Sequence, residues 1–229
     1  MTTTITTHRA AWAWWVPFAL IALSLVPVVS GSLRLGELMG GPQVMPADGR
    51  IAALPLPVIV HIVSVIPYSL LGALQFSSQL RQRRPGWHRA SGRLLVPLAL
   101  AVAFSGLWMT IVYPPKPGTG LLLYGFRLAV GTGMAASVAL GLAAVRRGDI
   151  GRHRAWMTRA YALALGAGTQ VVTGAFGPAL IGTSVLANDL TMGAAWAINL
   201  AVAELVIRRP RMRTGHRSAP VAASAGGRS

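Results

Sequence analysis

The chain contains no cysteine, and only five of its 229 residues are acidic. Without thiols there is no disulfide, no thiolate metal site and no cysteine nucleophile. Charged residues make up 11% of the sequence, against about a quarter in an average soluble domain. That shortage excludes an ordinary water-soluble globule. Lysine is almost missing too, with Lys116 alone beside twenty arginines. There is no glycine-rich phosphate loop, no serine-hydrolase elbow and no HExxH pair. With so few carboxylates, a catalytic zinc would lack ligands. The sequence leaves open whether the protein is an enzyme.

Apolar residues are plentiful, at 53% of the chain with a mean hydropathy of +0.55. Disorder needs the opposite composition. A net charge of +16 would suggest nucleic acid in a soluble protein. Here long apolar runs make the lipid bilayer the expected partner, with no nucleic acid. Six runs, 11–30, 55–79, 92–113, 121–145, 160–181 and 185–207, are each near the roughly 20 residues that cross about 30 Å of hydrocarbon. The expected fold is therefore all-α, a polytopic transmembrane bundle of six helices. The first run is too long for a signal peptide and is preceded only by His8 and Arg9, so it reads as an uncleaved span.

The arginines are unevenly distributed. Segments 80–93 and 146–159 hold five each, the tail 208–229 holds six, and Arg9 precedes the first span. Arg34, Arg50 and Lys116 fall in the alternate loops. The positive-inside rule then puts both termini and the two Arg-rich loops in the cytoplasm, and an even number of spans requires the same. The reading is a multi-pass protein of the cytoplasmic membrane. It has a cytoplasmic N-terminus over 1–10, a membrane domain over 11–207 and a basic tail over 208–229, disordered beyond about 214. The tail and loops should attract anionic phospholipid at the cytoplasmic face. Trp12, Trp14, Trp15, Trp87 and Trp156 stand where aromatic rings anchor at headgroup level. The loop 31–54 has room for a short interfacial segment.

Two loops share a motif. Trp87-His88-Arg89-Ala90-Ser91-Gly92-Arg93 and Arg152-His153-Arg154-Ala155-Trp156-Met157-Thr158-Arg159 both read His-Arg-Ala followed by arginine. His61 lies 27 residues before His88, and Arg127 lies 26 before His153. Spans 2–3 and 4–5 thus read as parallel copies of one hairpin. The run from His61 through Gln75-Phe76, Arg81, Arg83, Pro85, His88-Arg89 and Gly92-Arg93, then Gly151, His153-Arg154, Trp156-Met157, Arg159 and Tyr161-Ala162-Leu163, resembles a bacterial membrane-protein family. It is catalogued as domain of unknown function 2306. The resemblance covers about 55–205 and implies a multi-pass membrane fold, with no activity to carry over.

Polar residues inside spans point to candidate sites, because an ionisable group there costs at least about 2.5 kcal/mol unless it faces the bundle interior. At helical spacing His61, Ser64, Tyr68, Gly72, Gln75 and Gln79 form one stripe. Arg159, Gly166, Thr169, Gln170, Thr173 and Gly177 form a second, and Asp189, Trp196 and Asn199 a third. His61, Tyr68, Gln75, Arg127 and Asp189 are the candidate ligand-binding set in the membrane, with Arg127 and Asp189 expected to pair. Glu204 precedes Arg208 by the favourable four residues. At the cytoplasmic end His88 and His153 are the residues that would hold one b-type haem, while Arg89, Arg93, Arg154 and Arg159 would meet propionates or another oxygen-rich anion. His61 is too far from His88 to share an iron and no second histidine lies at its depth, so a two-haem cytochrome is not supported. Three readings remain. One is a membrane protein that binds a lipidic or anionic ligand. The others are a one-haem redox protein and a small proton-coupled transporter using His61, Arg127 and Asp189.

Overall fold

The structure is a computed structural model that describes residues 4–209, with side chains described from Trp14 onward. Among these residues every regular element is a helix. They are α1 (Thr4–Leu38), α2 (Gly49–Ala53), α3 (Leu56–Gln75), α4 (Ser78–Arg83), α5 (Pro85–Val112), α6 (Leu121–Arg146), α7 (Ile150–Ala164), α8 (Gly166–Ile181) and α9 (Val185–Arg208). Five helices, α1, α3, α5, α6 and α9, are long and apolar enough to cross a membrane, and α7 with α8 make a sixth span if taken together. The all-α polytopic bundle expected from the apolar runs is the observed architecture. Arg9, Trp12, His8 and the tail with His216 lie outside the residues whose side chains are described.

Helix ends follow local chemistry. The Ser77 hydroxyl accepts from Leu80 N at 3.2 Å to cap α4, Asp149 Oδ1 accepts from Arg152 N at 2.9 Å to cap α7, and Ser184 Oγ accepts from Ala187 N at 3.1 Å to cap α9. These are the side chains that satisfy amides left free at a helix start. Pro85 opens α5, where its missing N–H costs nothing. The α6–α7 connection is only three residues, and Gly148 supplies its left-handed backbone (φ +75°). Several boundaries differ from the sequence expectation: α5 starts at Pro85 rather than 92 and α7 at Ile150 rather than 160. The first span runs to Leu38 rather than 30, its end tied by an Arg34–Glu37 ion pair at 2.8 Å. The fifth span is not continuous: α7 and α8 meet at a 46° bend.

That bend organises the interior. α1 packs on α3 and α8, α3 on α5, α5 on α6, α6 on α9, and α9 on α8, which closes a ring. α7 touches α3, α6, α8 and α9, and Ala160 to Leu163 are buried, so α7 fills the middle of the ring at the arginine-rich end. Past Leu165 the chain leans outward, and α8 joins the wall between α1 and α9 with Val171, Val172, Phe176 and Leu180 exposed. The middle of the other half is left open. Small residues permit the lean: Gly166 lies under the Trp196 indole and Gly168 against the Leu23 backbone of α1. Asn199 on α9 staples both sides of the break. Its Nδ2 donates to Ala162 O at 3.1 Å, and its Oδ1 accepts from Thr169 Oγ1 at 2.7 Å. A backbone interruption is tolerated at membrane depth where other groups re-satisfy it and where it lines a cavity.

The core sits beside α7. Tyr68, Phe76 and Tyr161 form an aromatic cluster, with ring centroids 5.8 Å and 5.1 Å from Tyr161. The Tyr161 hydroxyl donates to Ser69 O at 2.7 Å. Gly72 is what lets the ring in, because a Cβ there would stand 2.5 Å from Tyr161 Cε2. The polar face predicted for α3 is thus turned inward, with Ser64, Tyr68 and Gly72 buried. α1 is the least buried of the long helices, in keeping with its scarcity of polar residues.

Candidate functional site: a cavity in the arginine-poor half

Where α8 leaves the centre, a cavity of about 970 Å³ opens among α1, α3, α5, α6, α8 and α9. Its size lies at the upper end of the range for small-molecule sites, about 300–1,000 Å³. His61 from α3 and Arg127 from α6 both line it. They enter from helices whose first residues are Leu56 and Leu121, so each stands about 8–9 Å below its helix start at 1.5 Å per residue. Gln170, Trp196, Ser69 and Leu163 to Leu165 complete the inner wall.

His61 is positioned by Ser105. Its Nδ1 lies 3.0 Å from Ser105 Oγ. The Ser105 hydroxyl lies 2.6 Å from Ala101 O and 3.1 Å from Val102 O, so with its proton on either carbonyl its oxygen accepts from the imidazole Nδ1–H. The neutral ring then carries its lone pair on Nε2.

Arg127 is different. Among the described residues its guanidinium has no hydrogen bond and no carboxylate within ion-pair distance. The expected Arg127–Asp189 pair does not form. Asp189 is buried and acts on backbone instead: its carboxylate accepts from Gly120 N at 3.0 Å and 3.1 Å and from Leu123 N at 3.1 Å. Gly120 has no side chain to cap α6, so Asp189 caps it from the neighbouring helix. The carboxylate thereby meets the positive end of α6, which competes successfully with a single guanidinium. Asp189 is left within electrostatic range of Arg127 only, and so is the cation Arg50. Arg127 is a cation facing a mostly apolar cavity, and its charge awaits compensation.

The remaining candidates in the membrane do not join this cavity. Tyr68 belongs to the aromatic cluster. Gln75 Nε2 donates to Ser91 Oγ at 2.6 Å and ties α3 to α5. Of the five residues proposed together, the structure brings only His61 and Arg127 to one site. Sequence reading missed Ser105 and Arg50. Serine in an apolar helix carries little signal, and Arg50 sits in a loop that seemed external to the bundle.

At the arginine-rich end, His88 and His153 lie within electrostatic range of one another. His153 Nδ1 is 2.9 Å from Gly141 O, across the α6–α7 hairpin. Arg159 is not available for an anion, since it makes a two-pronged pair with Glu204 at 2.5 Å and 3.1 Å and lies over the Trp156 ring at 4.6 Å. Glu204 reaches Arg208 only at 3.6 Å, so its principal partner is Arg159. Arg89, Arg93 and Arg154 are exposed. Neither histidine lines the cavity above or the smaller surface cleft described below, and no group of three or more His, Asp or Glu suited to a metal occurs among the described residues. Neither cavity offers two histidines to a haem iron.

A family described as a predicted membrane protein, DUF2306, matches residues 58–207. No curated protein and no solved structure matches the chain.

Proposed function

Because the chain belongs to the DUF2306 family of predicted membrane proteins, we propose that it acts within the bilayer as a binding protein for an anionic or acid-headed amphiphile, held in the central cavity with its charged group on Arg127. The observation that carries this reading is the Arg127 guanidinium, which has no ion-pair partner among the described residues and lines a cavity of about 970 Å³. An arginine in a membrane interior needs compensation by water, a carboxylate or a ligand, and the carboxylate that acts on it, Asp189, is engaged with backbone amides. A planar guanidinium suits carboxylate and phosphate oxygens. His61, with Nδ1 fixed on Ser105, offers its other nitrogen as an acceptor for a protonated head or a water. The apolar remainder of the wall takes the hydrocarbon. In this reading the protein sits in the cytoplasmic membrane, with its arginine-rich end toward the cytoplasm and anionic phospholipid.

The test uses the purified full chain in lipid nanodiscs. Decanoate should raise the unfolding temperature in a saturable manner, and decanol, of equal chain length, should not. Arg127→Gln should weaken decanoate binding by about tenfold or more, the scale of one charge-assisted hydrogen bond. Equal stabilisation by the acid and the alcohol, or full retention of binding in Arg127→Gln, would refute the reading. A Soret band in the purified protein that shifts on reduction would move the function to His88 and His153.

A further inference from the structure

A second, outward-facing cleft of about 610 Å³ is formed by the stretch Ala47 to Leu54, which includes α2, and the α5–α6 connection with Lys116. It shares four lining residues with the deep cavity: Arg50, Tyr113, Pro114 and Pro115. We propose that cleft and cavity are two compartments of one access path, through which an organic anion enters from the aqueous phase on the arginine-poor side, with Arg50 at the neck. This rests on the reading of Arg127 as the anion's final site.

The partition between the compartments is thin and held by few bonds. Arg50 donates through Nε and Nη2 to Asp48 at 2.9 Å and 2.5 Å, while its Nη1 approaches Pro114 O at 3.5 Å. Tyr113 closes the other side by donating to Leu54 O at 2.6 Å. Along the path the cations come in order: Lys116 in the cleft, Arg50 at the neck and Arg127 in the cavity. Asp48 is the acid in these linings, and it is paired with Arg50. Three cations against one carboxylate leave an excess of positive charge from the surface to the cavity. A passage of one sign between low-dielectric walls concentrates the opposite ion by about tenfold to a thousandfold. A ligand drawn from lipid would need no charged cleft at the arginine-poor face. Arg50 also faces two ways: it can leave Pro114 O for a passing anion while Asp48 keeps it in place.

The chain's lack of cysteine makes a direct test available. Thr110 lines the deep cavity and Ala47 lines the outer cleft. Thr110→Cys and Ala47→Cys, each as the sole thiol of the full-length protein, are exposed in intact cells to two membrane-impermeant reagents. One is the anionic methanethiosulfonate ethylsulfonate, and the other is its trimethylammonium counterpart. Rates are normalised to a small thiol in solution. The anionic reagent should modify Thr110→Cys at least about tenfold faster than the cationic one, and Arg50→Gln or Arg127→Gln should each reduce that preference severalfold. Ala47→Cys, exposed at the outer cleft, gives the surface rate of each reagent for comparison. Equal normalised rates at Thr110→Cys would overturn the path. So would reaction of that thiol only from the arginine-rich side in inverted vesicles. If Thr110→Cys resists both reagents yet reacts with a bilayer-permeable maleimide, the cavity is supplied from lipid; the path is then wrong, while decanoate binding at Arg127 can still stand.

Discussion

Replacing Asp189 tests the central structural claim about the cavity, that this carboxylate caps α6 and does not neutralise Arg127. Three backbone contacts converge on it from Gly120 and Leu123, at 3.0–3.1 Å. Hydrogen bonds to a charged group contribute about 1.5–3 kcal/mol each net, and a buried charge at a helix start adds up to about 2 kcal/mol. These terms overlap, since all act through one carboxylate. Asp189→Asn keeps a single carbonyl oxygen and turns an NH2 group toward N–H donors, so it should cost about 2–3 kcal/mol. Asp189→Ala leaves the buried Leu123 amide without its acceptor and should cost about 3–4 kcal/mol. The assay is reversible unfolding in mixed micelles followed by circular dichroism. Arg127→Gln, in the same assay, should cost little, and the double variant should be additive within about 0.5 kcal/mol. Gly120→Ala provides an independent approach, because its Cβ would stand 2.6 Å from Asp189 Oδ2 and push the carboxylate off its amides. Wild-type stability in Asp189→Asn would refute the capping account. A coupling above about 1 kcal/mol with Arg127→Gln would restore Asp189 as the counter-ion.

Other consequences are open to measurement. Gly166→Ala should destabilise by about 1–3 kcal/mol through displacement of Trp196, whereas Gly133→Ala, whose added methyl would meet Leu163 at an ordinary 3.6 Å, should be neutral or slightly stabilising; unfolding midpoints of the two variants check the contrast. Tyr161→Phe removes the bond to Ser69 O and should cost about 0.6–1.5 kcal/mol, with the aromatic cluster intact by near-ultraviolet circular dichroism. The Arg50 guanidinium beside Asp48 holds that carboxyl at about 2, below its ordinary 3.8. A lowered carboxylate contributes stability that is complete above the ordinary value and is lost as pH falls through the lowered one. Wild type should therefore lose its stability advantage over Asp48→Asn between about pH 4 and pH 2, as unfolding temperatures across that range would report.

The sequence determined the solvent and the inventory of helices. Apolar runs of membrane-crossing length, with arginines gathered at alternate loops, require a polytopic helical bundle, because backbone amides in lipid must bond within their own segment. Helical spacing also determined which face of α3 turns inward, since Ser64, Tyr68 and Gly72 repeat at that period. His61 and Arg127 were legible as a matched pair by depth, and they share one cavity. Depth along a helix is read from residue counts, but the direction in which each helix faces its neighbours is not. Only the tertiary structure decided that Asp189 turns to the start of α6 rather than to Arg127, and that Glu204 on α9 reaches Arg159 on α7 as well as Arg208 four residues on. The break at Leu165 was hidden for a related reason. Glycines such as Gly166 and Gly168 are common inside membrane helices, and they become a hinge here because Trp196 and the α1 backbone occupy the space beside them and Asn199 satisfies the interrupted backbone. That break moves α8 into the wall and opens the cavity, so the candidate site belongs to the packing of six helices and to no single segment of the chain.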